Sequence, residues 1–203
     1  MQTVNPAGRS YSADSVVEVG ISQNFCGLLP LNSKNYWVYL DSVYTDGVFS
    51  RVQYDTLRYT PVLKSLSDGL VWWESNISAG IPDILYSSDS ALFTIEDRLF
   101  TSGIKDAKLD ISLFTGDSAR YITSFEDAAA KGRSLKIQTA LKTPAGSFSD
   151  CIYFEKNAHN YRKDQVILKP GLGVLKYIQE KAPAGQRVIK LQQVLTLVAF
   201  HIE

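Results

Sequence analysis

Apolar and polar residues alternate in short runs along most of this chain, and turn residues separate the runs. The segment "NYWVYLDSVY" (Asn35–Tyr44) is rich in aromatic and β-branched residues, and Thr45-Asp46-Gly47 follows it. Next comes "VFSRVQYDTLRY" (Val48–Tyr59), which sets Phe49, Arg51, Gln53, Asp55 and Leu57 on one face. Val48, Val52, Tyr54, Thr56 and Arg58 fall on the other. A period of two on both sides of an Asp-Gly pair predicts a β-hairpin, because the left-handed conformations of a tight turn suit Asp-Gly. A second Asp-Gly, Asp68-Gly69, separates "VLKSL" from "LVWWES" and predicts another strand pair.

Shorter runs continue the pattern: "DILYSS", "ALFTIED", "KLDISLF", "ARYITSF", "RSLKIQTALK", "FSDCIYF", "QVILK" and "GVLKYIQ". Between them stand Ser87-Ser88-Asp89, Thr101-Ser102-Gly103, Thr115-Gly116-Asp117, Pro144-Ala145-Gly146, Pro170-Gly171 and Pro183-Ala184-Gly185. Strands at such close spacing predict a mainly β fold: one antiparallel curved sheet, open barrel or sandwich, with at most one or two short helices. The best helix candidate is "SFEDAAAKG" (Ser124–Gly132), with Ser124 as cap, Glu126 and Asp127 in the first turn and Gly132 as stop. A loop fits that stretch nearly as well. The terminal "VIKLQQVLTLVAFHI" carries a helical stripe, yet its β-branched content and two apolar faces predict a buried strand. Residues 1–13 read as a flexible tail and 14–203 as a single β-rich domain, since no linker, low-complexity tract or repeat interrupts them.

Charge narrows the function classes. Twenty-one basic residues balance 21 acidic ones, so the basic surface that nucleic acid requires is not expected. No apolar run is long enough for a transmembrane helix, and the polar opening is not a signal peptide. A leader replaced by Met1 and a cytosolic protein are both compatible with that opening. Two histidines, His159 and His201, and the absence of a Cys-x-x-Cys pair argue against a metal site, and no cofactor motif is present. "PGLGV" lacks the third glycine of a dinucleotide fingerprint and the Gly-Lys-Ser/Thr of a phosphate loop, so it reads as a turn entering a strand.

Cys26 and Cys151 both sit in apolar surroundings, "NFCGLL" and "SDCIYF". Two buried thiols are the plainer reading. A Cys26–Cys151 disulfide is the alternative, worth on the order of 4–5 kcal/mol for so long a loop. In "KTPAGSFSDCIYF", Pro144 and Gly146 predict a defined corner that aims a Phe148–Phe154 strand into a sheet. Ser149, Cys151 and Tyr153 would share one face of it, with no base within reach of the thiol. Trp37, Tyr39, Trp72 and Trp73 are the candidate lining of an apolar or sugar pocket, though aromatics at strand positions are commonly core. The carboxylates Asp83, Asp89, Glu96, Asp97 and Asp110 are scattered, and no spacing singles out the facing pair a glycosidase needs. "NIS" at Asn76–Ser78 matches a glycosylation sequon and reads as chance.

Three patches together carry a likeness. Pro30, Trp37 and Tyr39 form an opening, Pro144, Ala145, Gly146, Phe148 and Cys151 a middle, and Pro170, Gly171, Gly173, Lys176 and Tyr177 an ending. In this order they resemble the TapB-like group of bacterial secreted proteins and lipoproteins, with Leu175 where that group commonly has valine. The resemblance implies a periplasmic, cell-surface or secreted protein with an antiparallel β-fold and no established catalytic residues; a cytoplasmic location stays open. The expectation is a non-enzymatic envelope protein that binds an apolar or amphipathic ligand or lipid, or that meets a protein partner. A hydrolase whose carboxylates converge only in the fold is the alternative.

Overall fold

A computed structural model describes residues 27–65, 68–95, 107–112, 119–125 and 128–203, together with the backbone of Gln2–Val4, Ser10–Ser12 and Val16–Val17. Every regular element among the described residues is a strand. Most of the alternating runs fold as strands, though a bulge within Val48–Leu57 sets Phe49 opposite Tyr44 and off the Arg51 face, and "RSLKIQTALK" divides between two strands. The first strands are β1 (Gln2–Val4), β2 (Ser10–Ser12), β3 (Val16–Val17), β4 (Tyr36–Thr45), β5 (Val48–Leu57), β6 (Tyr59–Ser65), β7 (Val71–Ser75), β8 (Ile84–Ser87) and β9 (Ala91–Thr94). The second half adds β10 (Lys108–Ser112), β11 (Ala119–Ser124), β12 (Ala129–Lys136), β13 (Leu141–Thr143), β14 (Gly146–Phe148), β15 (Ile152–Ala158), β16 (Arg162–Lys169), β17 (Gly173–Lys181) and β18 (Lys190–His201).

Two antiparallel sheets carry the molecule. Eight strands lie in the order β11-β12-β15-β16-β17-β18-β4-β5, and six in the order β10-β9-β8-β7-β6-β3, without closure into a barrel. Their facing sides share one core: Trp37, Tyr39, Phe154, Val166, Tyr177 and Leu195 from the larger sheet pack with Tyr59, Val71, Trp73, Leu85 and Leu92 from the smaller. The chain changes sheets between Leu57 and Tyr59. Asn76 braces that corner: its amide donates to the Thr56 carbonyl at 2.9 Å and its oxygen accepts the Arg58 N–H at 2.6 Å. The sequon asparagine is therefore committed to the fold. At the opposite side the Thr123 hydroxyl of β11 donates to the Leu109 carbonyl of β10 at 3.1 Å, joining the two sheets.

The turns follow their chemistry. Asp46 (φ 52°) and Gly47 (φ 85°) connect β4 to β5, with Thr45 opposite Val48. The terminal apolar segment is the strand β18, paired between β17 and β4. Two expectations are corrected. The described residues of Ser124–Gly132 form no helix, with Glu126 and Asp127 outside them: Ser124 pairs with Ala129, and the Phe125 N–H bonds to the Ala128 carbonyl at 2.8 Å. Tertiary pairing of β12 with β15 overrides the local helix signal there. Nor does one strand run from Phe148 to Phe154. Asp150 takes a left-handed conformation (φ 55°) that ends β14 before β15 begins at Ile152, so Cys151 and Ile152 are both buried. Residues 1–13 carry β1 and β2, which pair with each other, and β3 adds to the edge of β6.

Candidate functional site

Trp37 and Tyr39 point inward from β4 and anchor the turn before β17. The Trp37 Nε1–H donates to the Leu172 carbonyl at 2.6 Å, and the Tyr39 hydroxyl donates to the Val174 carbonyl at 2.8 Å. Between those carbonyls lies Gly173, where a Cβ would stand 2.9 Å from Trp37 Nε1. The Gly171 N–H bonds to the Leu28 carbonyl at 3.2 Å. "PGLGV" is thus the seat of the Trp37 indole, and the opening and closing sequence patches meet here. Burial raises the Tyr39 hydroxyl far above its ordinary pKa, with Tyr59 adding to the effect. Trp73 joins the same core, whereas Trp72, its chain neighbour, lies on the other face of β7 with Val62, Leu63, Ile84 and Ile95. The alternation of a strand separates them. All four aromatic candidates are buried, and the fold brings together three of them.

Cys151 is a buried thiol whose Sγ donates to the Phe148 carbonyl at 3.3 Å, and burial pushes its pKa up. Cys26 lies outside the described residues, as do Glu96, Asp97 and the turns at Thr101-Ser102-Gly103 and Thr115-Gly116-Asp117. Asp83, Asp89 and His159 are exposed, while Asp110 is buried.

Where the shared core ends, polar groups continue across the inner face of the larger sheet. Register places Lys156 opposite Asp164, Asp164 opposite Gln179, and Gln179 opposite Gln193. At one end the Asp110 carboxylate of β10 pairs with Lys156. Arg162 grips Asp164 with two bonds, 2.8 and 2.7 Å long, and the Tyr177 hydroxyl donates to the same carboxylate at 3.1 Å. Phe125 lies under both cations, 4.8 Å from Lys156 Nζ and 4.7 Å from the Arg162 guanidinium carbon, in reach of cation–π attraction. Burial raises the Asp110 pKa, and Lys156 opposes that rise. The cleft lined by Gly80, Asp110, Tyr121, Lys156 and Asp164 has room for about one water. Chemically this is a clasp: each buried carboxylate is held by a cation. Among the described residues no group of His, Cys, Asp and Glu could hold a metal ion.

The row reaches β4 and β5 at its far end. Gln193 donates to Asp41 at 3.0 Å, and the Gln53 amide lies 3.5 Å from Asp41 and 3.2–3.3 Å from the Asp55 carboxylate. Burial raises the Asp41 pKa; Gln193 opposes this, and the nearby Asp55 reinforces it.

Beyond Asp41 the sheet ends in β5, which has β4 on one side and no strand on the other among the described residues. Its first seven residues, Val48 to Tyr54, are exposed on both faces. They include Val48, Phe49, Val52 and Tyr54, at 52–71% exposure. The Asn76 amide on the Thr56 carbonyl marks where the open edge stops. Sequence reasoning found this strand but not its isolation. The available signal was a strand in which apolar residues, Val48, Phe49, Val52 and Tyr54, alternate with the charged Arg51 and Asp55 instead of forming a continuous apolar face.

No family model matches the chain, and no curated protein matches it. Two solved structures are similar. One is described as "a putative lipoprotein" from Parabacteroides distasonis, 14% identical, with a TM-score of 0.40, covering 88% of this chain and all of the other. The second is described as "a putative exported protein with YmcC-like fold" from Bacteroides fragilis, 9% identical, with a TM-score of 0.36, covering 87% and 100%. Neither likeness is close enough to carry an argument about this chain. The TapB-like resemblance rests on the three sequence patches alone, and no family model supports it.

Proposed function

We propose that this protein is a non-catalytic interaction module of the bacterial envelope that engages a protein partner along β5. The observation that carries this reading is the run from Val48 to Tyr54, open on both faces and along one hydrogen-bonding edge. An unpaired edge offers backbone donors and acceptors to an incoming strand, and natural proteins usually cover or blunt such edges. The apolar side chains of Val48, Phe49, Val52 and Tyr54 add what a docked strand would bury. The apolar-ligand version has less support, because Trp37, Tyr39, Trp72 and Trp73 are packed inside. The hydrolase version has less as well, because Asp110 and Asp164 are each spent on an ion pair. The envelope location rests on the TapB-like resemblance.

A photo-crosslinking residue placed at Tyr54 tests the reading in intact cells, with the exposed Lys142 as the control position. A discrete adduct at Tyr54, absent at Lys142 and abolished by Val52→Asp, is expected. No adduct at Tyr54, or the same adducts at both positions, overturns it.

A further inference from the structure

The open edge carries two charges of opposite sign. Arg51 and Asp55 lie on the same face of β5, on either side of Gln53. Charges on an edge strand normally discourage pairing with another strand. They do so only where the incoming strand cannot neutralise them. In an antiparallel pairing of two identical strands, a two-fold axis decides which residues face each other.

An axis through Arg51 sets the two guanidinium groups opposite each other, and one through Asp55 does the same to the two carboxylates. Like charges directly opposite are destabilising. An axis through Val52 faces Arg51 with Gln53, and one through Tyr54 faces Arg51 with Leu57. Only the axis through Gln53 puts Arg51 directly opposite the second copy's Asp55, and it does so twice. The same axis puts Val52 opposite the second copy's Tyr54, again twice, on the other face of the sheet. Cross-strand pairs of opposite charge, and of aromatic with β-branched residues, are the favourable kinds. The stretch from Arg51 to Asp55 lies within the open part of the edge, before the Asn76 brace at Thr56.

We infer that the partner of β5 is the β5 of a second copy of this chain, paired antiparallel about Gln53, so that two eight-stranded sheets join into one. This rests on the reading of β5 as an interaction edge and adds the identity of the partner. The pattern that would repel an arbitrary strand becomes self-complementary in this one register. It explains why an exposed apolar strand carries one cation and one anion at equal distances from its middle residue.

The test is sedimentation velocity of the full chain as a function of concentration. The wild type is expected to dimerise. Arg51→Asp and Asp55→Arg are each expected to weaken the dimer about tenfold or more, and the double reversal Arg51→Asp/Asp55→Arg to restore it. Thermal unfolding of every variant shows whether a loss of dimer is a loss of fold. Lys142→Glu, at an exposed position away from β5, serves as a second variant and is expected to leave association unchanged. A monomer at all concentrations overturns the inference, and so does a dimer indifferent to the single reversals or not rescued by the double. The crosslink at Tyr54 separates the two readings. A monomeric chain that still forms an adduct with a different protein at Tyr54 ends the self-pairing and keeps the edge. No adduct and no dimer end both.

Discussion

Tyr121 lies across Gly132, its partner in the β11–β12 register, so closely that a Cβ on the glycine would stand 2.2 Å from the ring. The glycine is there because the aromatic ring fills its side-chain space. In Gly132→Ala something must shift, and overpacking of this kind typically costs about 1–3 kcal/mol. Urea unfolding should show that loss in the native background. In a Tyr121→Ala background the same substitution should cost far less, and an equal cost in both would mean that the ring is not the obstacle. Trp37 and Gly173 repeat the relation on the other side of the molecule, where the indole needs both the carbonyl of Leu172 and the missing side chain of Gly173. Burial then does to Cys151 what it does to Tyr39: it disfavours the ionised form.

Strands and their partners set the charge states on the inner face. Asp41 of β4 is buried between Gln193 of β18 and Gln53 of β5, with Asp55 close by. Its pKa is raised in the fold, so the folded state holds the proton more tightly than the unfolded chain does. The group therefore costs nothing below the ordinary carboxylate value of about 4 and subtracts stability as pH rises through the raised value. Asp41→Asn, which keeps an acceptor for Gln193, should raise the melting temperature at neutral pH, and the gain should fade below about pH 4. A gain of the same size at every pH, or a loss at neutral pH, would count against this account of Asp41. Such partners are what a single chain hides. The hairpins were legible because Asp46-Gly47 and the period of two are local signals. The Ser124–Gly132 hairpin was not, because capping residues and alanines favour a helix locally while β15 dictates a strand. The break at Asp150 was equally silent, since only its backbone conformation moves Cys151 off the expected face. At the candidate site the aromatic residues were legible as core, but the openness of β5 depends on which strand ends the sheet.

Two sheets of unequal width make the whole molecule. Their shared core holds them in the middle, and the chain crosses between them at Arg58. On the far side from that corner, they are tied by the Thr123 bond to Leu109 and by the ion pair of Asp110 on β10 with Lys156 on β15. The carboxylate is buried and the ammonium is largely covered, with Phe125 against it, so Asp110 cannot fall back on water. Removing one partner of such a pair leaves the other charge stranded and costs about 3–5 kcal/mol, whereas replacing both with apolar groups of similar volume is often neutral. Lys156→Met should thus destabilise strongly, because it removes the charge that opposes the burial of Asp110 and leaves that carboxyl beside Asp164, to stay ionised uncompensated or to take up a proton. Asp110→Leu should also destabilise, by stranding the ammonium. The double variant Asp110→Leu/Lys156→Met should recover most of both losses in chemical denaturation. Recovery would mark the pair as one way of joining two sheets that apolar packing can replace. If the losses simply add, the charges are held by more than each other, and Arg162 with Asp164 must be counted in the same clasp.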